Sequence, residues 1–361
     1  MTEQGNAATR LSGLTLDNDW VVGEMLLTGR RGIGSGGYFS VSYSVSKGNQ
    51  TAFLKAFDIF QAMERAVQHQ QSVTTVMLKQ LQAYEFETEL HRSCLKMKRI
   101  VRILDQGQKM VTPLPNEQFS TVPYMIMELA DGGDVRSYIQ RASAIDLAMK
   151  LYYLRDVASG LLQLHSANIA HQDLKPSNIM IFNGDSAKIG DLGRASQQQS
   201  FGLHDALTIA GDRGYAPPEQ TYGVTLAEWI DRRQKCDLYQ FGSLISFLIF
   251  GTTINAALKI RIPREILPPV WGGVCQSYEQ ALPFLEQAFN EILMDWKSQL
   301  PTGIGSEIIE VIQQCSNPDY RVRGSRKTMR QSVPSLGIDR FVSQIDRLAT
   351  KASIQARTKA N

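Results

Sequence analysis

Apolar and polar positions change their spacing along this chain, and the changes divide it into elements. Val41, Tyr43 and Val45 alternate with polar residues, Ala52-Phe53-Leu54 runs into Lys55, and Tyr124-Met125-Ile126-Met127 forms a third apolar stretch. Alternation and short apolar runs of this kind predict strands. A helical period follows in 80–97, where Tyr84, Leu90 and Cys94 lie three before, three after and seven after Glu87. That spacing puts Glu87 on the inward stripe of a helix and favours it over Glu89 as the inward acid, with Glu89 as the alternative and Glu85 read as solvated. The segment 57–81 also reads as helical and predicts an additional helix in the strand-rich part. Further on, Ile179-Met180-Ile181-Phe182 and Ala187-Lys188-Ile189 flank a Gly-Asp turn as two short strands. The rest is mainly helical: a very apolar run at 243–250, a helix at 277–299, and a tail in which Ile338, Phe341, Val342, Ile345 and Leu348 share one face. The tail is expected to pack on the chain's own helical part, with a partner as the alternative.

Composition narrows the class. With 361 residues, 43% hydrophobic and 20% charged, the chain can bury a substantial core. A formal net charge of +3 gives no reason to invoke nucleic acid. Cys94, Cys236, Cys275 and Cys315 show no C-x-x-C spacing, so neither a disulfide framework nor a zinc site is indicated, and reduced thiols in a cytoplasmic protein are expected. No signal peptide is read at the start, and the run 244–250 is too short to span a bilayer, so no membrane role is expected. Residues 1–18 are polar and rich in small side chains, which predicts mobility.

The chemistry concentrates in 169–194, IAHQDLKPSNIMIFNGDSAKIGDLGR. Asp173, Lys175 and Asn178 fall within six residues, and Asp191 follows thirteen after Asn178. Phosphoryl transfer needs an acidic residue beside the attacking hydroxyl, a lysine for the moving charge, and oxygen ligands for Mg²⁺. Upstream, Gly34-Ser35-Gly36-Gly37-Tyr38-Phe39-Ser40-Val41 joins two strands, and its glycines let backbone N–H groups approach phosphate oxygens. Alone, such a loop is also an ordinary hairpin turn. Lys55 lies twenty-one residues after Gly34 at the end of a strand, where a lysine is commonly a surface residue.

Taken together, these segments resemble the eukaryotic-type serine/threonine protein kinases, over about 20–325. Supporting segments are Gly211-Asp212-Arg213-Gly214-Tyr215-Ala216-Pro217-Pro218-Glu219, which looks like the end of an activation segment, Asp237-Leu238-Tyr239-Gln240-Phe241-Gly242, and Asn317-Pro318-Asp319-Tyr320-Arg321. Aminoglycoside- and choline-type kinases lack that activation-segment ending. The resemblance implies an α+β, two-lobed fold: a flexible segment at 1–19, a small β-rich lobe with the hinge at 20–130, a larger helical lobe at 131–335, and an amphipathic helix and tail at 336–361. It implies ATP and Mg²⁺ as cofactors and serine or threonine hydroxyls of proteins as acceptors.

By the same resemblance, Asp173 orients the acceptor hydroxyl and takes its proton, Lys175 neutralises the γ-phosphoryl group, and Asn178 and Asp191 hold Mg²⁺. Lys55, paired with Glu87, anchors the α- and β-phosphates under Gly34, Ser35, Gly36 and Gly37. Val41, Met127, Glu128, Ala130 and Met180 belong to the nucleotide site, and Asp134 reaches the ribose or a basic substrate residue. Asp237 is expected to hold the catalytic-loop backbone, and Arg321 to pair with Glu219. His171 is expected to be a packed core histidine.

Four positions depart from the family pattern. Phe39 stands for a glycine, Phe53 for a small residue under the adenine, Asp212 for a threonine, and Gln172 for the arginine that receives a phosphate on the activation segment. Glutamine cannot form an ion pair with phosphate, so activity independent of that phosphorylation is expected, with Gln172→Arg nearly neutral. A second carboxylate at Asp212 is expected to bind Lys175 and repel Asp173. The alternative to an active enzyme is a pseudokinase that serves as a scaffold. The insertion at 253–300 reads either as a helical elaboration or as a docking site for a substrate or regulator.

Overall fold

A computed structural model of the chain describes residues 6–26, 40–115, 117, 119–141, 145–200, 202, 204–329 and 336–360. The chain divides into two units, the first made of Met1–Tyr138, Met180–Gly184 and Gly190–Gly193. In it β1 (Val21–Leu26), β2 (Ser40–Lys47) and β3 (Gln50–Phe57) are followed by α1 (Ile59–Gln68) and α2 (Val73–Ser93), then β4 (Ile103–Met110) and β5 (Thr121–Glu128). The strands form one antiparallel sheet in the order β1-β2-β3-β5-β4.

Register decides which residues face which side, because side chains alternate along a strand. Lys55 pairs with Met125 and Phe53 with Met127. Phe53, Phe57, Met125 and Met127 therefore share one face, in a cluster with Tyr84, Val101 and Ile103. Leu54, Ala56, Tyr124 and Ile126 take the other, with Tyr43 and Val45. Ser72 and Asp58 start the two helices by accepting the N–H groups of Thr75 and Gln61.

The second face is covered by Ala7, Ala8, Leu11 and Leu16, which corrects the expected mobility of 1–19 over residues 6–19; residues 1–5 lie outside the described residues. Ala7, Ala8, Leu11 and Leu16 are at most 3% exposed. The Tyr43 hydroxyl donates to the Ala8 carbonyl at 2.6 Å, and Asn6 donates to Asp58 at 2.8 Å. Arg10 pairs with Glu117 and donates to the Thr112 carbonyl. Small side chains let this segment lie close to the sheet, which would otherwise expose an apolar face.

Beyond β5 come β6 (Gly133–Asp134) and α3 (Val135–Arg141). The second unit comprises Ile139–Ile179, Asp185–Ile189 and Arg194–Asn361. After α3 the chain runs through α4 (Leu147–Ser166), β7 (Ile169–Ala170), β8 (Ile179–Phe182), β9 (Ser186–Ile189), β10 (Ser196–Gln197), α5 (Pro218–Thr221), α6 (Lys235–Phe250), α7 (Ile254–Arg261), α8 (Tyr278–Ser298), α9 (Gly305–Ser316), α10 (Arg326–Met329) and α11 (Ile338–Ala360). The expected boundary after 130 moves to Tyr138, and most of β8 returns to the first unit. The cause is pairing: Gly133 and Asp134 oppose Ile181 and Met180, and the Gly132 N–H donates to the Ile181 carbonyl at 3.1 Å.

In the second unit α6 is buried on nearly every side and packs on α9 and α4. Gly251, in the left-handed region at φ 75°, ends it. The tail helix α11 lies on α4, burying Phe341, Ile345, Leu348 and Ala349. Arg155–Asp346 at 3.1 Å and the pairs Arg347–Glu307 and Lys351–Glu307, at 2.7 and 2.5 Å, fasten it. The predicted apolar face is thus used within the chain. In the insertion, α8 packs on α7 and α9, and Trp296 stacks on Phe250 at 4.7 Å between ring centroids. Among the described residues no single helix is long and apolar enough to cross a membrane.

The partner of Glu219 differs from the expected one. Arg323 makes two bonds of 2.6 Å to its carboxylate, while Arg321 bonds locally to Asp319 at 2.8 Å. Arg323 is fully buried, and its remaining donors reach the Asn317 and Pro318 carbonyls.

Candidate active site

In the first unit β3 aims Lys55 into an open cleft of about 680 Å³. Its Nζ donates to Glu87 Oε1 at 2.7 Å and Oε2 at 3.0 Å, and to Asp191 Oδ1 at 3.2 Å. The inward stripe of α2 therefore selects Glu87, which is buried, and leaves Glu85 and Glu89 exposed. Burial pulls the Lys55 pKa down, but Asp191 and Glu87 together outweigh it and hold the ammonium above the usual lysine value. Asp191 sits at φ 55°, a left-handed conformation that few non-glycine residues adopt. Gly193 beside it lies close to Glu87: a Cβ there would sit 3.0 Å from a carboxylate oxygen, which would have to give by a few tenths of an ångström.

The cleft is apolar along Phe53, Val101, Met127 and Met180 and ionic at Lys55, Glu87 and Asp191. Glu128, Ala130 and Asp134 also line it, as expected from the sequence, and so do Leu26 and Val101, which no local pattern singled out. Phe53 forms part of the wall and leaves the cleft open. Asp134 caps α3, accepting the Ser137 N–H at 3.0 Å and its hydroxyl at 2.7 Å. Gly34, Ser35, Gly36, Gly37 and Phe39 lie outside the described residues. Val41 does not reach this cleft: it pairs with Ala56 and packs on the opposite face of the sheet.

In the second unit α6 supports the loop 171–178 from below. Asp237 accepts the His171 N–H at 2.7 Å and the Gln172 N–H at 2.8 Å. Gln240 accepts the Leu174 N–H at 2.8 Å and donates to the Gln172 carbonyl at 2.9 Å. His165 Nε2 lies 2.8 Å from Asp237 as well. These bonds hold Gln172 at φ 66°, a strained conformation worth about 1–3 kcal/mol that only surrounding contacts can maintain. His171 is fully buried, with Nδ1 accepting the Asp173 N–H at 3.2 Å, so it packs and orients as expected.

Asp173, Lys175 and Asn178 converge. Lys175 Nζ is 2.9 Å from Asp173 Oδ2, and Asn178 Nδ2 donates to the same oxygen at 3.1 Å. Asp212 was expected to repel Asp173, but its backbone N–H donates to Asp173 Oδ1 at 2.7 Å. Its own carboxylate takes the Gly214 N–H at 2.8 Å and lies 3.7 Å from Lys175, so the lysine lies within reach of both acids. Gly211 presses on the loop so closely that a Cβ would meet the Gln172 carbonyl oxygen at 2.2 Å.

Asn178 in the second unit and Asp191 in the first each carry a hard side-chain oxygen of the kind Mg²⁺ prefers, and among the described residues no group of three or more His, Cys, Asp or Glu is placed to hold an ion.

The model of the protein kinase domain matches residues 30–333. The chain belongs to the protein kinase domain family. Among curated proteins it is similar to the serine/threonine-protein kinase PknL of Mycobacterium tuberculosis, 23% identical over 69% of this chain and 60% of that one. It is similar to the serine/threonine-protein kinase CHK1 of Saccharomyces cerevisiae, 27% identical over 46% of this chain and 30% of that protein. A RasGEF domain-containing serine/threonine-protein kinase X of Dictyostelium discoideum is 28% identical over 39% of this chain and 14% of its own length. The chain therefore spans less than two thirds of the length of these relatives, from 14% to 60%.

Within the family pattern, the register of β2 corrects one sequence assignment. The glycine pattern also fits from Gly32 through Gly34 to Gly37, which puts Phe39 rather than Val41 at the family's valine position. A second correction concerns Gln172→Arg. Gln172 Oε1 accepts from Arg233 Nη1 at 3.0 Å in a buried site. An arginine there would bring two buried guanidinium groups together, so the substitution is expected to be harmful rather than neutral.

Proposed function

We propose that this chain is an ATP- and Mg²⁺-dependent protein kinase that transfers the γ-phosphoryl group to serine and threonine hydroxyls of proteins, itself included. The observation that carries this reading is the intact set of Lys55, Glu87 and Asp191 around an open, mostly apolar cleft. A degraded kinase commonly loses one of these groups. In this reading the apolar wall takes the base, and Lys55 neutralises the α- and β-phosphates. Asp173 orients the acceptor hydroxyl and takes its proton as the new O–P bond forms and the bond to the β-phosphate oxygen breaks. Lys175 stabilises the charge on the moving phosphoryl group. Asn178 and Asp191 would hold Mg²⁺, which neutralises phosphate charge when bound. Three buried, unpaired thiols, Cys94, Cys236 and Cys315, support a reducing, cytoplasmic location.

Phe53 on the cleft wall favours one second reading, a pseudokinase scaffold with weakened nucleotide binding. Incubation with γ-labelled ATP and Mg²⁺, beside Asp173→Asn and Lys55→Ala, separates the two. Label on serine or threonine that disappears in both variants is expected. No label and no nucleotide-induced thermal shift would favour the scaffold.

A further inference from the structure

Behind Asp173 lies a buried network that the transfer chemistry does not use. Arg233 belongs to the π-helical turn Ile230–Gln234 that leads into α6, and such turns are frequent at functional sites. Its side chain is 1% exposed. Nη1 donates to Gln172 Oε1 at 3.0 Å, and the Gln172 amide donates back to the Arg233 carbonyl at 2.8 Å. Nη2 donates to the Asp205 carbonyl at 2.8 Å and lies 3.3 Å from Asp205 Oδ1.

Asp205 is part of the segment that ends at Glu219, and its carboxylate is fully engaged. Oδ1 accepts the Ser196 hydroxyl at 2.6 Å, and Oδ2 accepts the Gly202 N–H at 2.6 Å. Trp229 Nε1 donates to Ser196 Oγ at 3.1 Å, and Arg232 donates to the Asp205 carbonyl at 2.5 Å. Burial disfavours the Arg233 charge, as does Arg232 beside it, and Asp205 opposes both. A buried guanidinium without its carboxylate would be costly. At its other end the segment is held by the Asp212 N–H on Asp173 and by the close fit of Gly211.

We infer that Arg233 and Asp205 are positioning residues for Asp173: a carboxylate already in the chain holds Arg233, Arg233 and Gln172 fix the catalytic loop, and no phosphate on the segment is needed. The inference rests on the kinase reading for its catalytic consequence, but the clamp itself can be read without turnover. An activating phosphate would bring negative charge to an arginine beside the catalytic aspartate. Here that arginine comes from the turn before α6, the anion is Asp205, and glutamine relays between the cation and the loop.

The test uses the full chain after phosphatase treatment, with Asp205→Asn, Asp205→Glu and Arg233→Lys, and with a Ser200→Ala/Thr208→Ala double variant. Amide hydrogen exchange is followed in peptides covering 170–175 and 204–215, and kcat and KM for ATP are measured on a generic serine/threonine substrate. Asp205→Asn is expected to speed exchange in both peptides and lower kcat by at least about tenfold, the scale of one hydrogen bond to a charged group. KM for ATP should stay within about twofold. Asp205→Glu should recover most of both losses, and the double variant should keep its kcat. If Asp205→Asn does not fold, Arg233→Lys keeps the cation without its fork and should still speed exchange. Wild-type exchange rates in Asp205→Asn would overturn the inference. So would a treated wild type whose kcat returns only on phosphorylation of the segment. If the wild type transfers no phosphate at all, the kinase reading falls, and the exchange comparison alone decides the clamp.

Discussion

Lys55–Glu87 in the first unit and Arg323–Glu219 in the second each join a cation to a glutamate, 32 and 104 residues apart in sequence. Their surroundings differ sharply. The Arg323 and Glu219 side chains are 0% and 2% exposed, and the guanidinium also meets two carbonyls and the face of Tyr239. Its fork leaves little to rearrange. Lys55 is 13% exposed, borders an open cleft and divides its charge between Glu87 and Asp191. An ammonium is a rotatable point charge that can exchange a carboxylate for a phosphate. The first pair is suited to handling a ligand, and the second braces the segment end on which Glu219 sits.

Breaking each pair should separate stability from activity. Arg323→Met strands a buried carboxylate and is expected to cost about 3–5 kcal/mol in a denaturant titration; a loss under about 1 kcal/mol would mean that the pair braces nothing. Lys55→Met should lower kcat/KM by about 10²–10³ and, because the Glu87 carboxylate it leaves borders an open cleft, should lower the unfolding midpoint less than Arg323→Met does. A large drop in that midpoint would erase the contrast between the pairs.

The exposed Glu307 pairs sharpen the same scale at its weak end. Hydrogen bonding from Lys351 holds the Glu307 carboxyl below its usual range, burial acts against this, and Arg347 adds to the lowering. A lowered folded-state pKa contributes stability above the unfolded value of about 4.3, and that contribution is lost as pH falls through the folded value. Glu307→Gln should therefore cost about 0.2–1 kcal/mol at neutral pH, and the difference from wild type should fade below about pH 4. A difference that persists in acid would assign the effect to packing.

What the sequence made legible was local. Asp173, Lys175 and Asn178 are close along the chain and converge in space, and helical spacing picked Glu87 correctly because α2 is regular through it. The choice between Arg321 and Arg323 was not local. Both follow Pro318 closely, but only tertiary burial decides which side chain turns inward to Glu219. Residues 6–19 misled for a related reason. Small side chains read as a mobile end, and the same smallness lets Ala7 and Ala8 dock on the sheet. Val41 failed on register, where one position decides the face. Asp205 and Arg233 are 28 residues apart and fit no motif, so the fold alone brings them together.

The docking of α11 on α4 has a consequence for synthesis. Arg155 and Asp346, which meet in the finished fold, are 191 residues apart. At about 5–20 residues per second, a ribosome takes roughly 10–40 s to travel between them. For that interval the apolar side of α4 has been made and its cover has not. A nascent chain released or stalled before α11 would carry an open hydrophobic surface, the kind of surface chaperones bind and aggregation starts from.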